Sequence, residues 1–376
     1  MWKVQLFKLN FDELETKAVC DVLNSGWLTM GERTINFESA FSAYLGADAK
    51  SVAVSNGTAA LHLALLALDV GKDDEVIIPA LTFVADANSV KMVGGKPVLA
   101  DCKSLFDWNV SAESIAKRIT SKTKAVIVVH YAGFPCDMPS IRALCLRHNL
   151  KLIEDVAHAP GASIAGQSCG TWGDVSCYSF FSNKNLSIGE GGMVVTKDEQ
   201  LYQRLRYLRS HGMTSLTLDR HKGRVITYDV VAPGLNYRMD EMRAAIGLVQ
   251  LQKLPSGNNR RAELTARYRA NLSGSAISIP FDHMPANLIS AYHILPVLLP
   301  VGCNRIAIIE FLKARGIQSS VHYPSFWSFS GYKGQFDPID TPIAAEICDR
   351  QLTLPLYPTM TNEEVDLVTS SLLEYL

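Results

Sequence analysis

Between Glu75 and Asp155 short apolar runs recur at even intervals, and that rhythm limits the folds open to this chain more than any other feature. The runs are Val76-Ile77-Ile78, Pro97-Val98-Leu99, Ala125 to Val129 and Lys151 to Ile153, and stretches of helical periodicity lie between them near 84–93, 111–119 and 137–149. Strand and helix in such alternation predict an α/β fold, a mainly parallel sheet covered by helices on both faces. Upstream, Leu14, Ala18 and Val22 mark an amphipathic helix over 12–25 that stops at Asn24-Ser25-Gly26. Phe37, Phe41, Tyr44 and Leu45 begin a second helical face. After the short strand Val52-Ala53-Val54, the helix Ala59 to Leu68 is apolar on nearly all sides, which predicts burial. A chain of 376 residues is expected to build one large domain and a smaller one. Pro255-Ser256-Gly257-Asn258-Asn259 interrupts the pattern between helices at 241–254 and 260–271. The boundary is therefore expected there, with residues 1–254 as the large domain and its N-terminal segment, and 255–376 as a smaller α+β domain. That second part reads as helix 260–271, an apolar run from Tyr292 to Leu298, helix 305–315, a strand over 317–323 and two C-terminal helices.

Charge and cysteine usage exclude several classes of function. A net charge of −1 gives no electrostatic reason to expect nucleic acid or an anionic membrane as partner. No apolar run approaches the roughly 20 residues of a membrane span, and Met-Trp-Lys-Val-Gln-Leu-Phe is no signal peptide. The eight cysteines are scattered without a close Cys-x-x-Cys pair. They read as reduced thiols of a cytoplasmic protein, with no disulfide framework and no metal site.

The chemistry concentrates between Asp155 and Gly192. One apolar strand delivers Glu154-Asp155 at its C-terminal end, where open α/β sheets place their ligands. A second, Val175 to Phe181, delivers Lys184 into a polar loop, and Gly189-Glu190-Gly191-Gly192 turns the chain into a further strand, Met193 to Thr196. Taken singly, Lys184 is a loop lysine and Asp155 a helix cap. Together, an acid and a lysine 29 positions apart, both at strand ends, are what pyridoxal phosphate (PLP) chemistry needs. The carboxylate holds the pyridine nitrogen protonated, and the lysine forms the Schiff base. Desolvation among Phe180, Phe181 and Leu186 would ease deprotonation of the amine. Elsewhere, Ser55-Asn56-Gly57-Thr58 precedes a helix, and a glycine-containing turn there is an anion site or an ordinary N-cap. No Gly-x-Gly-x-x-Gly follows a strand and opens a helix, which argues against a dinucleotide fold.

Ser179, Phe180, Lys184, Gly189, Glu190, Gly191 and Gly192 form a Ser-Phe-x-x-x-Lys-x-x-x-x-Gly-Glu-Gly-Gly pattern. It resembles the Schiff-base motif of the DegT/DnrJ/StrS family of PLP-dependent sugar aminotransferases, and the resemblance runs from Gly26-Trp27-Leu28-Thr29 to Leu354-Pro355-Leu356-Tyr357-Pro358. It implies the type I aminotransferase fold, Lys184 and Asp155 as catalytic residues, and Gly57, Thr58 and Ser179 as ligands of the cofactor phosphate. It further implies Phe83 stacked on the pyridine ring and His158 near the ring hydroxyl. Gly234-Leu235-Asn236-Tyr237-Arg238-Met239 is similar to a segment whose asparagine reaches the neighbouring subunit's phosphate, which implies a homodimer with shared sites and Asn236 as the shared residue. His322-Tyr323-Pro324 matches a His-Tyr-x-Pro near the substrate entrance, but Ser325-Phe326-Trp327 follows where relatives often carry Leu-His. The roles of Arg238, of His322 and of the basic loop at 220–224 stay open at this point.

The resemblance implies amination of a keto group on a nucleotide-linked sugar or a related keto-cyclitol, with glutamate or glutamine as donor. The alternatives are a PLP-dependent sugar dehydratase, whose relatives carry histidine where Lys184 stands, and a non-catalytic regulator on the same fold. A cysteine desulfurase would want histidine directly before the lysine, where this chain has Asn183.

Overall fold

The computed structural model describes residues 2–46, 48–215, 223 and 227–376. Helices α1 (Glu13–Ser25) and α2 (Glu32–Leu45) lead into β1 (Lys50–Val54) and α3 (Gly57–Ala67). The expected alternation follows as β2 (Glu75–Pro79), α4 (Ala85–Met92), β3 (Lys96–Ala100), α5 (Ala112–Ala116), β4 (Thr123–Val129), α6 (Met138–Arg147) and β5 (Lys151–Asp155). A small hairpin, β6 (Ser163–Ile164) and β7 (Gln167–Ser168), precedes β8 (Val175–Ser179), β9 (Gly192–Thr196) and α7 (Glu199–Arg209).

Seven strands form one sheet in the order β1-β9-β8-β5-β4-β2-β3. From β3 to β8 the neighbours are parallel, and β9 runs antiparallel to both β8 and β1. The sheet is mixed and mainly parallel, as the alternation predicts. Its register pairs Val129 with Asp155 and Asp155 with Cys177, so β4 and β5 end level and β8 runs two residues further, to Ser179. Helix α3 is buried along nearly its whole length, with Ala60, Leu63, Ala64 and Leu65 fully excluded from solvent.

The rest of the chain comprises α8 (Glu241–Leu272), β10 (Leu288–Ile289), β11 (Leu295–Leu298), α9 (Arg305–Ala314), α10 (Pro342–Arg350), β12 (Gln351–Leu354) and α11 (Asn362–Tyr375). Strands β11 and β12 pair antiparallel. A core of its own gathers there from Leu264, Tyr268, Ile308, Leu312, Leu352, Val365 and Leu372, joined by Val4 from the other end of the chain. No helix among the described residues is long and apolar enough to cross a membrane.

Two expectations are corrected. The break at 255–259 is absent: α8 runs 32 residues through Pro255 as one helix where two, 241–254 and 260–271, are expected. A proline in a helix interior costs about 3 kcal/mol. Pro255 itself is exposed, while Leu251 and Leu254 are buried on one side of it and Leu264, Tyr268 and Leu272 on the other. Each such burial stabilises by about 1.5–3 kcal/mol, so packing outweighs the local penalty. The strand expected at 317–323 is reduced to isolated bridges, Val4 with Ile317 and Ser320 with Thr353. Side chains meet the backbone there instead: the Tyr131 hydroxyl donates to the His322 carbonyl and Gln351 Nε2 to the Tyr323 carbonyl.

Candidate active site

Because successive strand residues face opposite sides of a sheet, β5 sends its two acids in different directions. Glu154 is fully buried and accepts hydrogen bonds from the backbone N–H groups of Gly170, Trp172 and Gly173, with His130 Nε2 3.1 Å away. It holds the 170–173 loop. Asp155 instead faces a cavity of about 630 Å³ at the C-terminal ends of β4, β5 and β8. Gly57, Thr58, Phe83, His158, Ser179, Lys184, Tyr237, His322 and Tyr323 share its walls.

The loop that carries Lys184 is pinned at both ends by one residue. Phe180 donates its N–H to Gly191 and its carbonyl accepts from Ile188, while its ring is fully buried 5.5 and 5.6 Å from the rings of Phe37 and Phe41. Gly192 is required by proximity: a Cβ there would lie 2.7 Å from the Asn56 and Tyr178 carbonyls. The strand after the lysine loop therefore presses directly on the turn that opens α3.

That turn has the features of an anion cradle. Asn56 caps α3, accepting from Ala59 N at 2.8 Å. The first N–H groups of a helix have no partner within it, and they carry the positive end of its dipole. At Gly57 a Cβ would come within 2.8 Å of Ser179 Cβ, so glycine keeps this concavity open and the serine beside it.

The charges around Lys184 are set mainly by burial. Burial lowers the Lys184 ammonium to about 8, against the opposing pull of Asp155. Burial raises the Asp155 carboxyl, countered by the Ala157 N–H at 2.8 Å and by Lys184. A cationic ring nitrogen placed against Asp155 would return it to the ionised state. Burial also pushes His158 far down and His322 to about 4, with Lys184 adding to both shifts. The imidazoles are therefore neutral at physiological pH.

Of the residues singled out in the sequence, seven of the cofactor set converge here: Gly57, Thr58, Phe83, Asp155, His158, Ser179 and Lys184. Phe83 is 52% exposed, an aromatic face presented to the cavity. Asn236 does not join them. It is exposed and bridges to Ser210, while its neighbour Tyr237 lines the cavity and Arg238 bridges to Val54. Arg220, His221, Lys222 and Arg224 of the basic loop lie outside the described residues. An anion cradle, a buried acid and a lysine whose proton affinity burial has lowered fit the phosphate, ring nitrogen and aldehyde of PLP, and the volume lies in the usual range for small-molecule sites.

The DegT/DnrJ/EryC1/StrS aminotransferase family model matches residues 10–373. The chain belongs to the DegT/DnrJ/EryC1/StrS aminotransferase family. Solved structures agree along the whole length. The aminotransferase TlmJ from Streptoalloteichus hindustanus is 34% identical with a TM-score of 0.89, covering 99% of this chain and 97% of that one. DesV of S. venezuelae, solved in complex with a ketimine intermediate, is 32% identical with a TM-score of 0.90, at 100% and 99% coverage. Spr1654 of Streptococcus pneumoniae, described as a sugar aminotransferase, is 31% identical in its PMP form, with a TM-score of 0.90 and coverage of 99% and 98%. This DegT/DnrJ/EryC1/StrS member therefore has the aminotransferase fold that its motif implied.

Sequence reasoning missed several polar residues around the site. Asp86 is almost fully buried with the Thr82 hydroxyl on one carboxylate oxygen, and burial together with nearby Asp155 raises it well above the ordinary range. In the sequence it looks like the usual acid in a helix's first turn. Asn185 ties the lysine loop to distant parts of the chain: its Nδ2 donates to Asn258 Oδ1 and to the Ala291 carbonyl, both at 2.7 Å, and its Oδ1 lies 2.9 Å from His293 Nδ1. The only signal for this was a polar asparagine in the middle of what proves to be a helix.

Proposed function

We propose that this PLP-dependent aminotransferase moves an amino group from glutamate or glutamine to a keto group on a nucleotide-linked sugar or a related keto-cyclitol. The cofactor, when bound, supplies the carbonyl carbon that carries the amino group and the ring that withdraws electrons from the bond being broken. Lys184 supplies the amine that holds it covalently and afterwards moves a proton between substrate carbon and cofactor carbon. Asp155 keeps the ring nitrogen protonated. The N–H groups of Gly57 and Thr58 with the Ser179 hydroxyl hold the phosphate, Phe83 covers one ring face, and His158 stands beside the ring hydroxyl. Asn236, exposed and outside its own cavity, completes the phosphate site of a second copy in a homodimer.

The observation that carries this reading is one cavity that holds Asp155 together with a Lys184 shifted to about 8. A lysine at this position also favours transamination over the sugar dehydratase, whose relatives carry histidine there. All eight cysteines are free, which supports a reducing compartment and hence the cytoplasm. Borohydride reduction of the purified, PLP-loaded protein should fix the cofactor on the peptide containing Lys184. Mapping of the adduct to another lysine would overturn the assignment. With the amino-loaded protein, a screen of keto-sugar nucleotides should then identify the acceptor by return of the original visible spectrum.

A further inference from the structure

The hydrogen bonds around His158 have a direction that reaches into the cavity. The backbone N–H of Ala132 can only donate, and it lies 3.3 Å from His158 Nδ1, which must therefore be the acceptor. His158 is 3% exposed, and its ring lies 4.4 Å from that of a second buried histidine, His293. No carboxylate bonds either imidazole among the described residues, and burial holds both far below the usual histidine range. A neutral imidazole that accepts at Nδ1 carries its hydrogen at Nε2. His158 Nε2 is 2.8 Å from the Tyr323 hydroxyl, so the tyrosine oxygen accepts there. The Tyr323 hydrogen is left to be donated elsewhere.

His293 carries its hydrogen on the opposite nitrogen, and its Nε2 makes no hydrogen bond to Tyr323 or any other described residue. The Ala291 carbonyl fixes which end of the Asn185 amide is NH₂, so Asn185 Oδ1 faces His293 and draws the hydrogen onto His293 Nδ1. The Tyr323 hydroxyl makes no other hydrogen bond among the described residues, and it lines the cavity with Lys184 and Asp155. Its ring is braced 5.4 Å from that of Phe83. The charges bearing on it are those of Asp155 and Asp86, with Lys184 acting on the adjacent His322; burial and the two acids keep the phenol protonated.

We infer that Tyr323 donates its phenolic hydrogen to an oxygen of the molecule bound beside Lys184, and that His158 is the positioning residue that sets this direction. The inference rests on the proposed function and adds a donor to it. The acceptor is an anionic or carbonyl oxygen, which can belong to the ring of the cofactor or to the substrate. Tyr323→Phe removes one oxygen and keeps the ring, so it separates the two sources. If the ring oxygen is the acceptor, the pH midpoint of the bound cofactor's visible absorbance rises by about one unit, a tenfold change in proton affinity. If the substrate is the acceptor, that midpoint stays and KM for the keto-sugar or the amino donor rises about tenfold, the size expected for a lost bond to a polar group. A Tyr323→Phe protein that still traps cofactor at Lys184, with midpoint and both KM values within about twofold of wild type, overturns the inference. Failure of wild-type protein to trap cofactor at Lys184 would instead overturn the function reading. Nitrogen-15 NMR of wild-type His158 provides a second, variant-free measurement: it should report hydrogen at Nε2 from about pH 6 to pH 8. Hydrogen at Nδ1, or protonation of both nitrogens in that range, overturns the inference as well.

Discussion

The Lys184 amine can be titrated without any turnover. With its ammonium at about 8, in place of the ordinary 10.5, it has lost roughly 2.5 units of proton affinity to burial. About a tenth of the molecules then carry free amine at pH 7, compared with about three in ten thousand for an ordinary lysine, a gain of roughly 300-fold. In cofactor-free protein, competitive labelling with acetic anhydride reads the free fraction of each lysine by mass spectrometry. Lys184 labelling should climb steeply up to pH 8 and level off by about pH 9, while free Nα-acetyl-lysine added to the same reaction, with the ordinary amine, keeps climbing past pH 10. Asp155→Asn removes the charge that opposes the shift, so the Lys184 curve should move to still lower pH. Labelling of Lys184 that rises in parallel with the added free lysine, or an upward shift in Asp155→Asn, would refute the claim that burial activates this amine.

Gly57→Ala should weaken PLP affinity about tenfold or more, read by quenching of protein fluorescence, because its Cβ would meet Ser179 Cβ at 2.8 Å. Mixing inactive Lys184→Ala with inactive Asn236→Asp should restore activity after subunit exchange, since each mixed dimer then has one site free of both lesions; proven exchange without recovery rejects a shared site. His322 is neutral when folded, with its pKa lowered to about 4, so it contributes stability that is present above about pH 6.5 and is lost as pH falls toward 4. His322→Gln removes that dependence, and urea unfolding should show the variant losing less stability than wild type between pH 7 and pH 4.5, by at most about 3 kcal/mol. An identical loss in both proteins would mean that His322 is already charged or exposed in the fold.

How far the sequence could be read depended on how local each constraint was. The sheet was legible because β2, β3, β4 and β5 are each a continuous apolar run. Asp155 and Lys184 stood out because strand ends and a glycine-rich turn bracket them within one stretch. The tie from Asn185 to Asn258 and His293 was invisible, since it spans 73 and 108 positions and no local pattern encodes it. Pro255 to Asn259 illustrates the opposite error. Their composition disfavours helix, but Asn258 is polar because it bonds Asn185 and the Pro160 carbonyl, and burial on either side keeps the helix intact. Residues 317–323 read as a strand, but their backbone pairing is limited to single bridges with Val4 and Thr353, and the carbonyls of His322 and Tyr323 are met by side chains of Tyr131 and Gln351.

The uninterrupted α8 has a consequence for how the molecule comes apart. Leu251 and Leu254 belong to the core beneath the lysine loop, and Leu264, Tyr268 and Leu272 to the core around β11 and β12. Melting either core frays the helix that the other core needs, and the Asn258–Asn185 bond carries the disturbance straight to the residue beside Lys184. Loss of the catalytic lysine's setting and loss of the C-terminal core are thus one event. Backbone amides around Lys184 should exchange with deuterium at the same slow rate as those of α8, so that an early-opening segment there is not available to proteases or heat as a separate point of failure.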